Sequence, residues 1–478
     1  MSAEILSTIP ITKEVAAVDD QIKVLDDEIA ELDKRKEEIE KLKEELGKAR
    51  IAALAQTAPI NRMLPELLGR IFEYAANESE KEGIDVPLNL VLVSHLWRKV
   101  ALETPRAWWR IAIEIEDESS ARPMTRRARA FLERSTAIPI DVFLDVLSWG
   151  QSEDRPHLFK DILDALEPNL SRCTRLICRL REENDSQLVL SRLAPHFGPT
   201  LEEFSVESRD SVRLQMPTMP HLAKLSLDDM GPRDGWTIDL LKNLRSLSLR
   251  YFKPIAFEPF LLALEAAKDV LEELRLSRCT LAFDSYTFMF FTTERRPVFP
   301  KLKTIGMTDI QVGDIDIFFE SVHAPALENL FLGMDSARFR YFKFMDPATA
   351  TCLSNCPLKR VELEDGTIEG SDLRSLLALL RSVSGTLQEI SIGGGELDTR
   401  FFHAMRVEPS IVPNLRSLTI KRQSEFTGHD LIKIARARMS REGITPLEVV
   451  GVEKCRSYEH DVGDDLKRMG IKFEFIPY

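Results

Sequence analysis

A chain of 478 residues is too long for one compact core, so it must divide into several domains or run on as a repeat array. Its composition is globular, 44% hydrophobic and 29% charged, and six cysteines over such a length do not make a disulfide framework, so free thiols are expected. A net charge of −13 argues against a primary role on nucleic acid or on an anionic membrane surface, both of which call for a basic footprint.

Residues 1–14 lack the basic-then-apolar order of a secretory signal, and no apolar run approaches the length of a membrane span. A cytoplasmic and/or nuclear protein with a disordered segment over 1–14 is therefore expected. From Val15 the apolar residues step three and four apart through Val18, Ile22, Leu25, Ile29 and Leu32, a heptad seam that predicts a coiled-coil helix over 15–57. Lys36 takes the next place, and the pattern resumes at Ile39, Leu42 and Leu46 in a shifted phase, which predicts a local discontinuity in the supercoil. Acid-before-base pairs such as Glu44 with Lys48 support the helix. Two readings stay open for this stretch: a homodimer made by pairing with a second copy, or a solvated helix folded back on its own chain.

Residues 61–109 describe a small helical module. Leu64-Pro65-Glu66-Leu67-Leu68 opens a helix with proline in its first turn, and Leu67, Leu68, Ile71 and Phe72 follow at helical spacing. After a polar insert from Asn77 to Pro87, a second run of Leu88, Leu90, Val91, Leu92, Val93 and Leu96 leads into Trp97-Arg98. Thr104-Pro105 with Trp108 and Trp109 closes the segment. A domain of roughly fifty residues buries little surface, so apolar side chains left over after folding are candidates for an interface.

This spacing resembles the F-box, over about a tenth of the chain. Leu64 to Leu68 with Ile71-Phe72 matches the family's opening, Val93-Ser94-His95-Leu96-Trp97-Arg98 its middle, and Thr104-Pro105 with Trp108 the ending common in mushroom-type fungal members. Ser94 stands where a cysteine is usual, and the polar insert is a second departure. The resemblance implies an F-box-like domain over 58–110 that docks on a Skp-type adaptor, and through it on the cullin and RING subunits of an SCF-type ubiquitin ligase. The adaptor contacts would come from Leu64, Pro65, Leu67, Leu68, Ile71, Phe72, Val93 and Trp97, some of which must instead fill the module's interior. The other reading of the same residues is a helical cap on the domain that follows.

Beyond the module the dominant pattern is L-x-x-L-x-L. It runs through Leu201-Phe204-Val206, Leu222-Leu225-Leu227, Leu244-Leu247-Leu249, Leu271-Leu274-Leu276, Leu302-Ile305-Met307, Leu327-Leu330-Leu332, Leu358-Val361-Leu363, Leu387-Ile390-Ile392, Leu415-Leu418-Ile420 and Leu447-Val450-Val452. Cys173-Leu176-Cys178 reads as a degenerate first copy. The period averages about 27 residues, as in leucine-rich repeats. Helical spacing over 258–268, 314–322, 371–383 and 429–441 supplies the return segments, so 111–478 is expected to be a leucine-rich-repeat-like α/β solenoid. The alternating runs Ile111-Ile113-Ile115 and Ile140-Val142-Leu144-Val146 read as early strands and irregular caps. Cys279 and Cys455, three residues after the last aliphatic of their copies, are expected to turn inward, whereas Cys352 and Cys356 lack a second pair to complete a zinc set.

No phosphate loop, nucleophile elbow, H-E-x-x-H or dinucleotide fingerprint occurs, and Gly393-Gly394-Gly395 reads as a turn leaving a strand rather than as a phosphate cradle. The expected protein is thus α/β, non-catalytic and without cofactor or metal: a ligase's substrate receptor in ubiquitin-dependent degradation, or else a protein-interaction scaffold not joined to a ligase. A protein substrate would meet the residue between the last two aliphatics of each copy, which faces away from the repeat core. Ser226, Ser248, Arg275, Phe331, Glu362, Ser391 and Thr419 hold that place, and Arg275, Phe331 and Glu362 are the expected substrate contacts. Convergence of Arg250, Arg275 and Lys421 would point to a phosphorylated target.

Overall fold

The computed structural model describes residues 9–57, 59–77, 85–147, 155–181, 185–208, 212–214, 216–232, 235–252, 254–282, 296–334, 347–364, 370–394, 397–423, 427–455 and 461–477. The chain divides into two compact units, 1–107 and 108–478.

In the first unit, helix α1 runs unbroken over Ile9–Thr57. It starts ahead of the heptad's first member, so residues 9–14 are helical rather than disordered, while 1–8 lie outside the described residues. It passes through Lys36 as continuous helix, because the stretch is rich in Glu, Lys, Ala and Leu, all strong helix formers. Lys48 Nζ sits 2.6 Å from Glu44 Oε1, one turn away. Every apolar residue from Val15 to Leu46 on the seam is 50–66% exposed, so no described residue of the first unit covers that face.

Three short helices follow: α2 (Pro65–Asn77), α3 (Val86–Val93) and α4 (His95–Leu102). Proline starts α2 and sits in the first turn of α3, where a missing N–H costs nothing. Between α3 and α4, Ser94 is extended (φ −160°, ψ 168°) and its Oγ accepts the Trp97 N–H at 3.2 Å, so the serine that departs from the family pattern caps α4. Leu68, Phe72, Leu90, Val100 and Ala101 form the core, with Val86, Val91, Leu96 and Trp97 packed against it. Thr104 Oγ1 donates to Val100 O at 2.7 Å, and a Cβ on Gly69 would stand only 3.0 Å from that hydroxyl. Most of the polar insert, 78–84, lies outside the described residues.

The second unit is built on a parallel sheet of fourteen strands that follow one another in chain order. They are β1 (Arg110–Ile115), β2 (Ile140–Val146), β3 (Cys173–Leu180), β4 (Glu203–Ser208), β5 (Lys224–Asp228), β6 (Ser246–Arg250), β7 (Glu273–Ser277), β8 (Thr304–Ile310), β9 (Asn329–Met334), β10 (Arg360–Glu364), β11 (Glu389–Gly393), β12 (Ser417–Lys421), β13 (Val449–Glu453) and β14 (Lys472–Ile476). Each L-x-x-L-x-L copy became one strand. Its aliphatics stack on the same positions of the neighbours, as Leu247 and Leu249 do on Leu274 and Leu276, all at 0–1% exposure. Neighbouring parallel strands require a crossover, and helices such as Phe257–Glu265, Val312–Ser321, Gly370–Ser382 and Gly428–Met439 supply it within three residues of the expected spans. The early segments are full members of the sheet rather than irregular caps, since β1 and β2 pair in parallel over six residues. Trp108, read as closing the helical module, is wholly buried in the second unit, edge-to-face on Phe131 at 4.9 Å.

After several strands the chain turns through one residue with φ near +50 to +60°, as at Tyr251, Arg278, Arg422 and Lys454. The amide there still donates to the next strand, Arg278 N–H to Thr308 O at 2.8 Å and Lys454 N–H to Ile476 O at 2.8 Å. The following residue is thereby driven inward: Phe252, Cys279, Gln423 and Cys455 are all buried. Cys279 Sγ donates to Ser277 O at 3.3 Å and Cys455 Sγ to Glu453 O at 3.4 Å, so both thiols close this turn as expected.

Candidate adaptor-docking and substrate surfaces

In the helical module the structure sorts the eight expected adaptor contacts. Leu68 and Phe72 are fully buried in the core and are unavailable to a partner; Trp97 is half-buried, its ring 5.0 Å from that of Phe72. Leu64, just ahead of α2, and Leu67 and Ile71 on it are 64%, 47% and 41% exposed, and with Tyr74 they make a stripe spaced three and four apart. Pro65 and Val93 are also exposed. Leu92, at 79% exposure, was not singled out by the sequence, because a continuous apolar run on α3 does not tell its inner from its outer face. Burying the exposed halves of these aliphatic side chains would supply roughly 1 kcal/mol each before association costs.

On the sheet, side chains between the inward aliphatics stand on the outer face of the strands. Arg275 on β7 and Phe331 on β9 are separated by β8, which carries Gly306 between them. A Cβ on Gly306 would come 3.3 Å from Arg275 Cγ; its absence lets the guanidinium lie 5.0 Å from the Phe331 ring centre. Arg360 approaches the same ring at 5.3 Å and donates to Glu362 Oε2 at 3.1 Å. Glu362 Oε1 accepts from Lys421 Nζ at 2.5 Å, and Lys421 also reaches Glu364 at 3.2 Å. Lys421 crosses β11 at Gly393, where a Cβ would collide with its own Cβ at 2.9 Å. The three expected substrate contacts thus join one continuous patch from β7 to β12. Burial alone would raise the Glu362 carboxyl, but the hydrogen bond from Lys421 and the charges of Lys421 and Arg360 hold it below the usual range. Lys421 is raised correspondingly, its own desolvation outweighed by the two glutamates.

Arg250, Arg275 and Lys421 do not converge. Each has a carboxylate of its own: Asp228 at 3.4 Å, Glu273 at 2.6 Å and Glu362 at 2.5 Å. The pairing of opposite charges continues along the sheet, with Arg179 between Asp145 and Glu207 at 3.6 and 3.5 Å and Glu203 holding Arg175 at 2.8 Å. A groove of about 490 Å³ at the strand ends is lined by Leu180, Glu207, Asp228, Arg250 and Tyr251 among others. There burial pushes the Asp228 carboxyl up to about 6 against the pull of Arg250. Among the described residues no cluster of three or more His, Cys, Asp or Glu is placed to hold a metal, and no helix is long and apolar enough to cross a membrane. No family model matches this chain, and no curated protein matches it.

Proposed function

We propose that this chain is the substrate receptor of an SCF-type ubiquitin ligase. The helical module docks on a Skp-type adaptor, which carries cullin and RING subunits, and the β7 to β12 patch holds a protein substrate. The receptor makes no bond itself. It raises the effective concentration of the substrate lysine near the charged conjugating enzyme, which converts a bimolecular encounter into a local one. One observation carries the reading: α2 fills its own module's core with Leu68 and Phe72, while Leu67 and Ile71 on it and Leu64 just ahead of it stay exposed.

The test uses the full-length chain and purified Skp-type adaptor in a pull-down. Wild type should retain the adaptor, and the Leu67→Asp/Ile71→Asp/Leu92→Asp triple variant should retain at least tenfold less. A wild-type chain that fails to hold adaptor, or a triple variant that holds it equally well, overturns the proposal and leaves the scaffold reading.

A further inference from the structure

Because α1 is unbroken, its heptads can be counted straight through from Val15. Val15, Ile22, Ile29, Lys36, Lys43 and Arg50 then occupy the first core position, and Val18, Leu25, Leu32, Ile39 and Leu46 the second. No change of phase is required; Leu42 alone among the apolar residues 39–46 stands off the seam. The exposed stripe is narrow and spaced every 3.5 residues, which suits another helix rather than a globular surface.

We propose that the occupant is a second copy of this chain, paired with α1 in antiparallel fashion about a centre between Ala30 and Glu31. Charge decides the orientation. Residues 15–33 carry seven acids against Lys23 alone, a net of −6, whereas 34–50 carry seven bases against five acids, a net of +2. A parallel, in-register pair would set −6 against −6 and would place Lys36, Lys43 and Arg50 each opposite itself in three alternate core layers. Like charges in contact there oppose assembly.

The antiparallel pair sets −6 against +2 instead and takes each core base off its own counterpart. With residue 15 level with 46 of the second copy, Val15 meets Leu46, Ile22 meets Ile39 and Ile29 meets Leu32. Lys36 and Lys43 fall level with Leu25 and Val18, where their methylene stems can cover aliphatic surface while the ammonium groups reach the rim. On that rim, in this orientation, stand the acids that follow those two residues, Asp26 beside Lys36 and Asp19 beside Lys43. The opposite rim brings Glu28 to Arg35. Each basic residue of the seam from 35 to 43 thus gains an acidic neighbour from the second copy. The helical modules would leave the rod at opposite ends, about 80 Å apart at 1.5 Å per residue. None of this depends on what the module docks.

Light scattering and pulsed electron spin resonance on the full chain test the inference, with a spin label on Lys48→Cys and the half-buried thiol removed as Cys352→Ser. The expected results are a mass twice 54.5 kDa and a label separation of about 50 Å, against roughly 20 Å for parallel helices. Asp19→Lys/Asp26→Lys should weaken the dimer at least tenfold, and adding Lys36→Asp/Lys43→Asp to the same chain should restore it. A monomer at tens of micromolar, a larger assembly, a separation near 20 Å, or failure of the restoring swap would each overturn the proposal.

Discussion

Arg438 offers the sharpest test of how the repeats are held together. It lies on the helix Gly428–Met439, has no exposed surface, and spreads its guanidinium over five backbone carbonyls. Nη1 donates to Pro409 O at 3.3 Å and Val412 O at 3.0 Å, Nη2 to Pro413 O at 2.9 Å and Leu415 O at 3.0 Å, and both Nε and Nη2 to Thr445 O at 3.0 and 2.8 Å. Burial pushes the group down to about 10, so it remains charged at neutral pH. Arg438→Met keeps most of the stem but leaves those carbonyls buried without donors. An orphaned acceptor costs about 1 kcal/mol or more, and removal of one side of a buried charged network typically costs about 3–5 kcal/mol in all. Arg438→Lys, whose donors sit at a single point, should recover less than half of that. Since repeats couple chiefly to their neighbours, the loss should be local. Amide hydrogen exchange on β12 and β13 should accelerate about a hundredfold or more, at roughly 1.4 kcal/mol per factor of ten, while β1 to β4 stay protected. Acceleration below fivefold at β12 and β13, or equal acceleration along the whole sheet, would refute the reasoning.

The Glu362–Lys421 pair predicts a pH dependence of definite sign. Because the folded carboxyl lies below its ordinary value, the stability it contributes is present above about pH 4.3, the unfolded-state value, and is lost as pH falls through the lower folded one. The urea midpoint difference between wild type and Glu362→Gln should therefore be full at pH 7 and close as the solution passes below the ordinary glutamate range; a difference independent of pH would contradict the pairing. In the helical module, Leu68→Ala should cost about 2–5 kcal/mol of module stability. Leu92→Ala should change it by less than about 0.5 kcal/mol and lower adaptor capture only. Limited proteolysis and thermal melting separate the two, and equal losses would mean that the faces of α2 and α3 have been assigned wrongly.

The strands were legible because the sheet's period of two leaves an unambiguous mark: in L-x-x-L-x-L the last two aliphatics point to one side, and nothing but a buried face explains their recurrence. The inward turn of Cys279 and Cys455 followed from the same count. Less could be read where both sides of an element are apolar. Leu67, Leu68, Ile71 and Phe72 cover more than one face of α2, and only the placement of α3 and α4 decides that Leu68 and Phe72 go inside. Leu42 suggested a shifted heptad, and an unbroken helix accommodates that phase as well as a straight count from Val15. Arg438 was invisible for a different reason. A charged residue in a helix's last turn ordinarily faces solvent, and the five carbonyls that hold it come from segments 7 to 29 residues away in sequence.

The one-to-one register of the parallel strands has an evolutionary consequence. From β9 to β14 each strand meets the next over five residues at a constant offset, so a duplicated or deleted copy would present the same ledge to whatever adjoined it. A lineage could therefore lengthen or shorten this surface in whole steps of about 5 Å, the spacing of adjacent strands, without rebuilding the interior. Variation would then be tolerated most readily in the outward residues, and the surface could grow by copying before it was refined by substitution.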